Sequence, residues 1–192
     1  PAPDYDFGTS KDILFVGGFN HPPNIDAVCW FVDEVLPLVS EQCPGIRLHL
    51  VGSNPTEAVA ALQSEHVLVY GYLSDEELAA LYRRVRMAVV PLRFGAGIKG
   101  KVLEAIQQNV PLVTTNIGAE GIPEPEMVMN IADSAVDFAA AIIAVESGET
   151  TAHAKLAHYT HWLQRNFSQA NAAAIIREDF GDPVREAVVN QQ

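Results

Sequence analysis

Met87-Ala88-Val89-Val90-Pro91-Leu92-Arg93-Phe94-Gly95-Ala96-Gly97-Ile98-Lys99-Gly100-Lys101-Val102-Leu103-Glu104-Ala105 reads as strand, glycine-rich loop and helix in succession. Met87 to Val90 is a short apolar run stopped at Pro91, the pattern of a strand buried on both faces. The helix opens near Lys101 and continues to Gln108. The same alternation extends in both directions. Ile13 to Val16 and Val67 to Tyr70 are apolar runs, Leu48 to Val51 is a further strand, and each is halted by glycine. Val110 to Thr115 and Met127 to Ile131 add a fifth and a sixth strand.

Helices fill the intervals. Asn24 after Pro22-Pro23 is a candidate N-cap for a helix with Ile25, Val28, Cys29, Val32, Val35, Leu36 and Val39 on one stripe, and Pro37 is expected to kink its last turn. Thr56 to Gln63 is a short helix, and Ser74 with Glu77 forms a capping box ahead of Leu78, Leu81, Tyr82 and Val85. Ser134 to Val145, Thr151 to about Phe167, and Ser168 to Asp179 read as Ala-rich or amphipathic helices. Strands alternating with helices specify an α/β fold, a Rossmann-like doubly wound parallel sheet. In such folds ligands bind beyond the carboxyl ends of the strands. That points to the loops Gly17 to Asn24, Gly52 to Thr56, Gly71 to Ser74 and Pro91 to Lys101.

Composition narrows the function. The chain has 192 residues, 48% apolar and 19% charged, which excludes a disordered or collagen-like protein and suits one domain. Residues 1–11 read as a linker, 12–180 as the domain and 181–192 as a tail. No apolar run is long enough to cross a membrane, and Pro1 to Ser10 lack the blocks of a signal peptide. Cys29 and Cys43 have no metal-ligand spacing and read as reduced thiols, so a cytoplasmic location is expected. Twenty-four Asp and Glu against twelve Lys and Arg give a net charge of −12, which argues against bulk nucleic-acid binding. Yet six of the twelve cations, Arg83, Arg84, Arg86, Arg93, Lys99 and Lys101, fall within 19 residues that contain no acid. Arg83, Arg84 and Arg86 read as the solvated end of a helix. Arg93, Lys99 and Lys101 read as a local anion site.

The loop between them has the chemistry of a phosphate cradle. Gly95, Gly97 and Gly100 let the backbone approach an anion, and the following helix contributes its N-terminal dipole. Gly95-x-Gly97-x-x-Gly100 also fits a dinucleotide fingerprint, but it follows the fourth strand rather than the first, and the next strand ends in Thr115-Asn116 with no acid for a ribose; Glu120 comes too late. Gly95 to Lys101 fits the spacing of a P-loop, except that Val102 stands where Ser or Thr would hold Mg²⁺.

A third reading comes from likeness. Val16-Gly17-Gly18-Phe19, Leu48-His49-Leu50-Val51-Gly52, Val69-Tyr70-Gly71-Tyr72-Leu73, Gly95 to Ile106 and Pro111-Leu112-Val113-Thr114-Thr115 occur in an order that resembles the C-terminal, donor-binding domain of GT-B glycosyltransferases of family 4 (group 1). The likeness runs from about Lys11 to Phe180. It implies one half of a GT-B enzyme: the domain that binds a nucleoside-diphosphate sugar, such as a UDP- or GDP-sugar, for retaining transfer to a hydroxyl acceptor. It implies Glu104 on the ribose hydroxyls, Lys99 or Arg93 as catalytic cations facing the diphosphate, and the Tyr70-Gly71-Tyr72-Leu73 backbone facing the base. Gly17, Gly18, His21, Gly95, Gly97, Ile98 and Lys101 complete the expected donor site.

Two departures stand out. The family's acidic pair is spaced E-x7-E, and Ala96 replaces its first member, which ordinarily meets the donor sugar. Gly18 stands in place of a common Arg, and no Lys occurs near Asn24. Neutralisation of the diphosphate would then rest on Arg93, Lys99 and Lys101. Two cations whose hydrogen bonds each strengthen by ~1.5–3 kcal/mol as the diphosphate leaves would supply about 10² to 10⁴ in rate, so no metal and no cofactor are expected.

The likeness further implies a missing N-terminal acceptor-binding domain, little turnover by this chain alone, a role in polysaccharide biosynthesis, and membrane contact only through the missing part, at the inner face. The competing readings are a nucleotide-binding or regulatory domain with a decayed site, motivated by Ala96 and Gly18, and more distantly an NAD-dependent oxidoreductase. His153, His158 and His161 read as a surface cluster, and Glu124 and Glu126 as loop solvation. Glu104 also reads as a first-turn helix acid. Trp30, Phe31 and Trp162 either pack helix on helix or face a missing domain.

Overall fold

A computed structural model describes residues 10–148 and 154–167. Six strands form one sheet: β1 (Ile13–Val16), β2 (Leu48–Val51), β3 (Val67–Tyr70), β4 (Met87–Val90), β5 (Leu112–Thr114) and β6 (Asn130–Ile131). Their order is β3-β2-β1-β4-β5-β6 and every pairing is parallel. This is the doubly wound Rossmann arrangement, with its topological switch point between β1 and β4. Every residue of β1, β2 and β4 is buried, which is why β1 and β4 read as unbroken apolar runs, while β2 carries one polar residue, His49, held by Asp12 and Tyr70.

The helices are α1 (Pro22–Trp30), α2 (Leu36–Gln42), α3 (Glu57–Ala60), α4 (Asp75–Tyr82), α5 (Gly100–Gln107), α6 (Ala135–Glu146) and α7 (Leu156–Asn166). α6 packs on α2 and on the turn before it, and α7 packs on α5. Trp30 and Phe31 are buried and meet Phe138 of α6 edge to face, and Trp162 is buried with its indole N–H donating to the Pro123 carbonyl. Trp30 and Phe31 therefore pack helix on helix, and Trp162 ties α7 to the loop at Pro123.

Several local expectations are corrected. Asn24 is not the N-cap of α1. The helix begins at Pro22, and His21 occupies the cap position without a side-chain bond. Prolines at the first two positions have no N–H to satisfy, so no capping side chain is required. Pro37 does not kink the last turn; its effect appears upstream, where Phe31–Val35 form a π turn closed by the Leu36 N–H on the Phe31 carbonyl. The widened turn relieves the clash of the proline ring with the carbonyl four residues earlier.

α3 stops at Ala60, β5 is confined to Leu112–Thr114, and β6 to Asn130–Ile131 because Pro125–Met127 wind into a 3₁₀ turn. α7 is described from Leu156, and the expected start at Thr151 lies outside the described residues. Arg83 and Arg84 are exposed, as expected, but Arg86 is half-buried and donates to the Val145 and Glu146 carbonyls at the end of α6. Cys29 and Cys43 are both free thiols. The capping box of α4 forms in both directions between Ser74 and Glu77. Most of the expected linker (residues 1–9), the Ser168 to Asp179 helix, the 181–192 tail and His153 lie outside the described residues. His158 and His161 are exposed.

The candidate donor cleft

At the switch point the loops after β1 and β4 part, and an open cleft of about 150 Å³ lies between them. It is lined by Gly17, Gly18, His21, Pro23 and Asn24 from one side and Leu92, Phe94, Gly95, Ala96, Lys99 and Lys101 from the other.

Backbone geometry explains the glycines. Gly95 and Gly97 sit at φ +126° and +79°, which a side chain would strain, and the space beside the Gly97 Cα is open. Gly17 is constrained by packing instead. A Cβ there would lie 2.9 Å from both the Asn24 Nδ2 and the Lys101 Nζ.

The cations divide into three kinds. Lys101, on the first turn of α5, is buried to 7% exposure, and its Nζ donates to the Asn24 Oδ1 at 2.6 Å and lies 5.3 Å from the Phe15 ring centroid. Lys99, at the N-cap position of α5, is equally buried; its Nζ donates to the Gly97 carbonyl and pairs with the half-exposed Glu120 at 3.3 Å. Arg93 is placed differently from the other two. Its guanidinium is bound through two nitrogens by Asp26, rests 5.7 Å from the Trp30 ring centroid, and is not among the residues lining the cleft. The structure thus brings Lys99 and Lys101 together with Gly17, Gly18, His21 and Gly95, and ties Arg93 to α1.

Glu104 lies one turn further along α5, outside the first turn where the helix dipole acts, so that reading of its role is corrected. Its carboxyl is pushed up to about 7, chiefly by burial, with Asp75 adding to the rise while the Tyr82 hydroxyl and Lys101 oppose it. One carboxyl oxygen, Oε2, is buried without a hydrogen-bond partner. Asp75 opens α4, directly after the Tyr70-Gly71-Tyr72-Leu73 turn. Tyr70 and Leu73 are half-buried and Gly71 exposed, none of them lining the cleft; Ile98 is half-buried and packs near Gly121.

A buried acid with a raised pKa makes stability depend on pH. Because the folded chain holds this proton more tightly than the unfolded chain, its contribution is full below about pH 4.5 and lost as pH rises through about 7, a change of about 3 kcal/mol. Glu104→Gln is expected to melt close to wild type at pH 4.5 and to be the more stable protein at pH 8. Thermal melts across that range check this; parallel profiles would contradict it.

Three site features are invisible in the sequence pattern. Asp26 and Glu120 reach their partners Arg93 and Lys99 across 67 and 21 residues. Asn24 reads in the sequence as a cap or a phosphate contact, whereas its amide joins the Gly18 carbonyl, 2.7 Å from Nδ2, to Lys101. Phe94, 46% exposed at the cleft, could have been marked as an aromatic inside a glycine-rich loop.

Comparison with known proteins supplies the family. Residues 10–147 match the family described as "Glycosyl transferases group 1". An uncharacterised 44.6 kDa protein in the cps region of Klebsiella pneumoniae is 31% identical over 117 residues, covering 57% of this chain and 30% of that protein. Among solved structures, TarM of S. aureus in complex with UDP superposes with a TM-score of 0.72 at 16% identity, covering 95% of this chain and 37% of TarM. The C-terminal domain of a group 1 glycosyl transferase, LpcC of Francisella tularensis, gives 0.66 at 14% identity, over 84% of this chain and 88% of that domain. The chain spans about a third of the Klebsiella relative and of TarM. With the GT-B-type sheet and a family match over most of its length, this chain belongs to the group 1 glycosyl transferases.

Proposed function

We propose that this chain binds the nucleoside-diphosphate part of a sugar donor, as the donor domain of a retaining glycosyltransferase that delivers the sugar to a hydroxyl acceptor. The observation that carries this reading is the cleft itself. Two buried lysines, Lys99 and Lys101, converge with Gly17, Gly18 and Gly95 at the switch point, where doubly wound folds take their ligands. The lysines and the N-terminus of α5 favour a diphosphate. Glu104, with an unpartnered oxygen between the cleft lysine and the start of α4, suits the ribose hydroxyls, and the Tyr70 to Leu73 turn beyond it suits the base.

The chemistry asked of these residues is electrostatic. As the bond from sugar to diphosphate breaks, negative charge grows on the leaving phosphate oxygens, and ammonium groups already in place stabilise it without reorganisation. Lys99 and Lys101 can do this without a metal. Arg93 would first have to leave Asp26. The acceptor half would come from a part of a longer protein, with a role in polysaccharide synthesis at the inner face of the membrane. TarM, which shares the fold, is described in complex with UDP.

Ala96 favours a second reading, a nucleotide-binding domain that no longer transfers sugar, because it presents only a methyl group at the cleft where the family's first acid would stand. Calorimetric titration of the 192-residue chain with UDP, GDP, ADP and NAD, with and without EDTA, tests the primary reading. Saturable binding of one diphosphate, unchanged by EDTA, is expected. Binding of NAD alone would replace the donor reading with an oxidoreductase. If binding is seen, turnover by the full-length protein separates transferase from non-catalytic domain.

A further inference from the structure

The loop leaving β5 brings an acid to the mouth of the cleft. Glu120 is half-exposed, and its Oε2 accepts from the Lys99 Nζ at 3.3 Å. Among the described residues no hydrogen bond engages its other oxygen, Oε1. Lys99 itself lines the cleft, and its Nζ also donates to the Gly97 carbonyl. The space beside the Gly97 Cα is open. Glu120 therefore stands one ammonium away from the cleft, beside unfilled room.

The turn that carries Glu120 does not depend on this ion pair. The Thr115 hydroxyl donates to the Leu92 carbonyl and accepts from the Gly118 N–H at 3.0 Å. A Cβ on Gly118 would lie 2.9 Å from the Val90 carbonyl oxygen, and one on Gly121, at φ +76°, would lie 2.8 Å from the Ile98 Cγ1. Close backbone approach on both sides thus presses Ala119 and Glu120 against the end of β4 and the loop of Gly97 to Lys99. A half-exposed ion pair adds little to a turn already held in this way.

Toward a bare anion Glu120 is a disadvantage, since it competes for the ammonium that phosphate would use. The balance changes when the phosphate carries a sugar. Sugar hydroxyls are donors, an ionised carboxylate is an acceptor through both oxygens, and its charge strengthens the bonds it accepts. The sugar of a nucleoside-diphosphate donor hangs from the terminal phosphate, so an acid that reads it must neighbour the cation holding that phosphate. Glu120 neighbours Lys99, whereas Ala96, which also lines the cleft, offers only a methyl group.

We propose that Glu120 is a specificity-determining residue for the donor sugar: it accepts hydrogen bonds from the sugar hydroxyls while Lys99 holds the terminal phosphate. This deepens the donor reading above and rests on it. A purely structural acid would affect the bare diphosphate and its sugar conjugate alike. A sugar-reading acid separates them.

The test titrates the wild-type chain, Glu120→Gln and Glu120→Ala by calorimetry, with thermal melts of each. The probes are UDP, GDP and ADP and their glucose, galactose, mannose and N-acetylglucosamine conjugates. The quantity read is the dissociation constant of the conjugate that wild type binds most tightly, divided by that of its bare diphosphate. Both ligands share the diphosphate, so release of Lys99 from its acid cancels in this ratio. Loss of charge-assisted bonds to the sugar is expected to raise it about fivefold or more in both variants. Both should melt close to wild type, because Glu120 is half-exposed. A smaller rise in either folded variant would overturn the role of Glu120 alone. So would a wild-type chain that binds a diphosphate but none of its conjugates. Failure of the wild-type chain to bind any of the three diphosphates would overturn the donor reading and this inference with it.

Discussion

Gly52→Ala is expected to lower the stability of the chain by about 3 kcal/mol or more, enough to remove a large share of the margin of an ordinary domain. The reason is a backbone contact. A Cβ on Gly52 would lie 2.0 Å from the Gly17 carbonyl oxygen and 2.8 Å from its carbon. Neither atom is the end of a flexible side chain. Both belong to the loop leaving β1, tied to β2 by the Gly17 N–H on the Val51 carbonyl at 2.9 Å. Making room would part β1 from β2 where their ends set the cleft wall. Gly71, at the corresponding end of β3, is the matched control, since a Cβ there meets nothing within 4 Å and Gly71→Ala should change stability by no more than about 0.5 kcal/mol. Urea denaturation of both variants decides it. Equal midpoints for Gly52→Ala and wild type would mean that the close approach of the two loops is not a constraint on folding.

Lys99→Ala carries the largest expected effect on binding. Removal of one charge-assisted hydrogen bond to a phosphate costs ~1.5–3 kcal/mol, about 10- to 100-fold in the dissociation constant of a nucleoside diphosphate. The cost to folding should be small, because the acid left behind, Glu120, is half-exposed and remains solvated. The ion pair also gives the prediction a second sign. Glu120 competes with the ligand for the Lys99 ammonium, so Glu120→Gln should tighten diphosphate binding a few-fold while Lys99→Ala weakens it. Calorimetry on the two variants checks both directions. A loss in both would identify the pair as a scaffold of the loop rather than as a cation with a competing acid.

The sequence-derived frame and the structure coincide where chemistry is local. β1, β2, β3 and β4 begin and end where the sequence places them, because these short, mostly apolar parallel strands are cut short by glycine or proline. The capping box at Ser74 is legible for the same reason, as both halves lie within four residues. The cleft loops follow from the topology, and Gly95 and two lysines of the motif line the cleft. What the sequence hides is the pairing of distant groups. Nothing near Arg93 indicates that Asp26 holds it, and nothing near Asn24 indicates that it serves Lys101 rather than a helix end. The short β6 and the π turn before Pro37 are likewise settled by packing and by steric relief, which periodicity does not register.

The placement of the three motif cations also changes how the family's missing acid is viewed. With Arg93 engaged by Asp26, the cleft keeps two ammonium groups and no carboxylate among its lining residues. Glu104 stands apart, half-buried and with its carboxyl pushed up to about 7. Near neutral pH it is a mixture of acid and carboxylate, able either to donate or to accept in a hydrogen bond. Donor affinity is therefore expected to respond to pH around neutrality in the wild-type chain and less so in Glu104→Gln.

The most direct measurement is a crystal structure of the 192-residue chain with the nucleoside diphosphate it binds best. The diphosphate is expected in the cleft between β1 and β4, with its oxygens within hydrogen-bond distance of the Lys99 and Lys101 ammonium groups. Asn24 should still hold Lys101. A diphosphate bound elsewhere on the chain, or one in the cleft contacted by neither lysine, would contradict it.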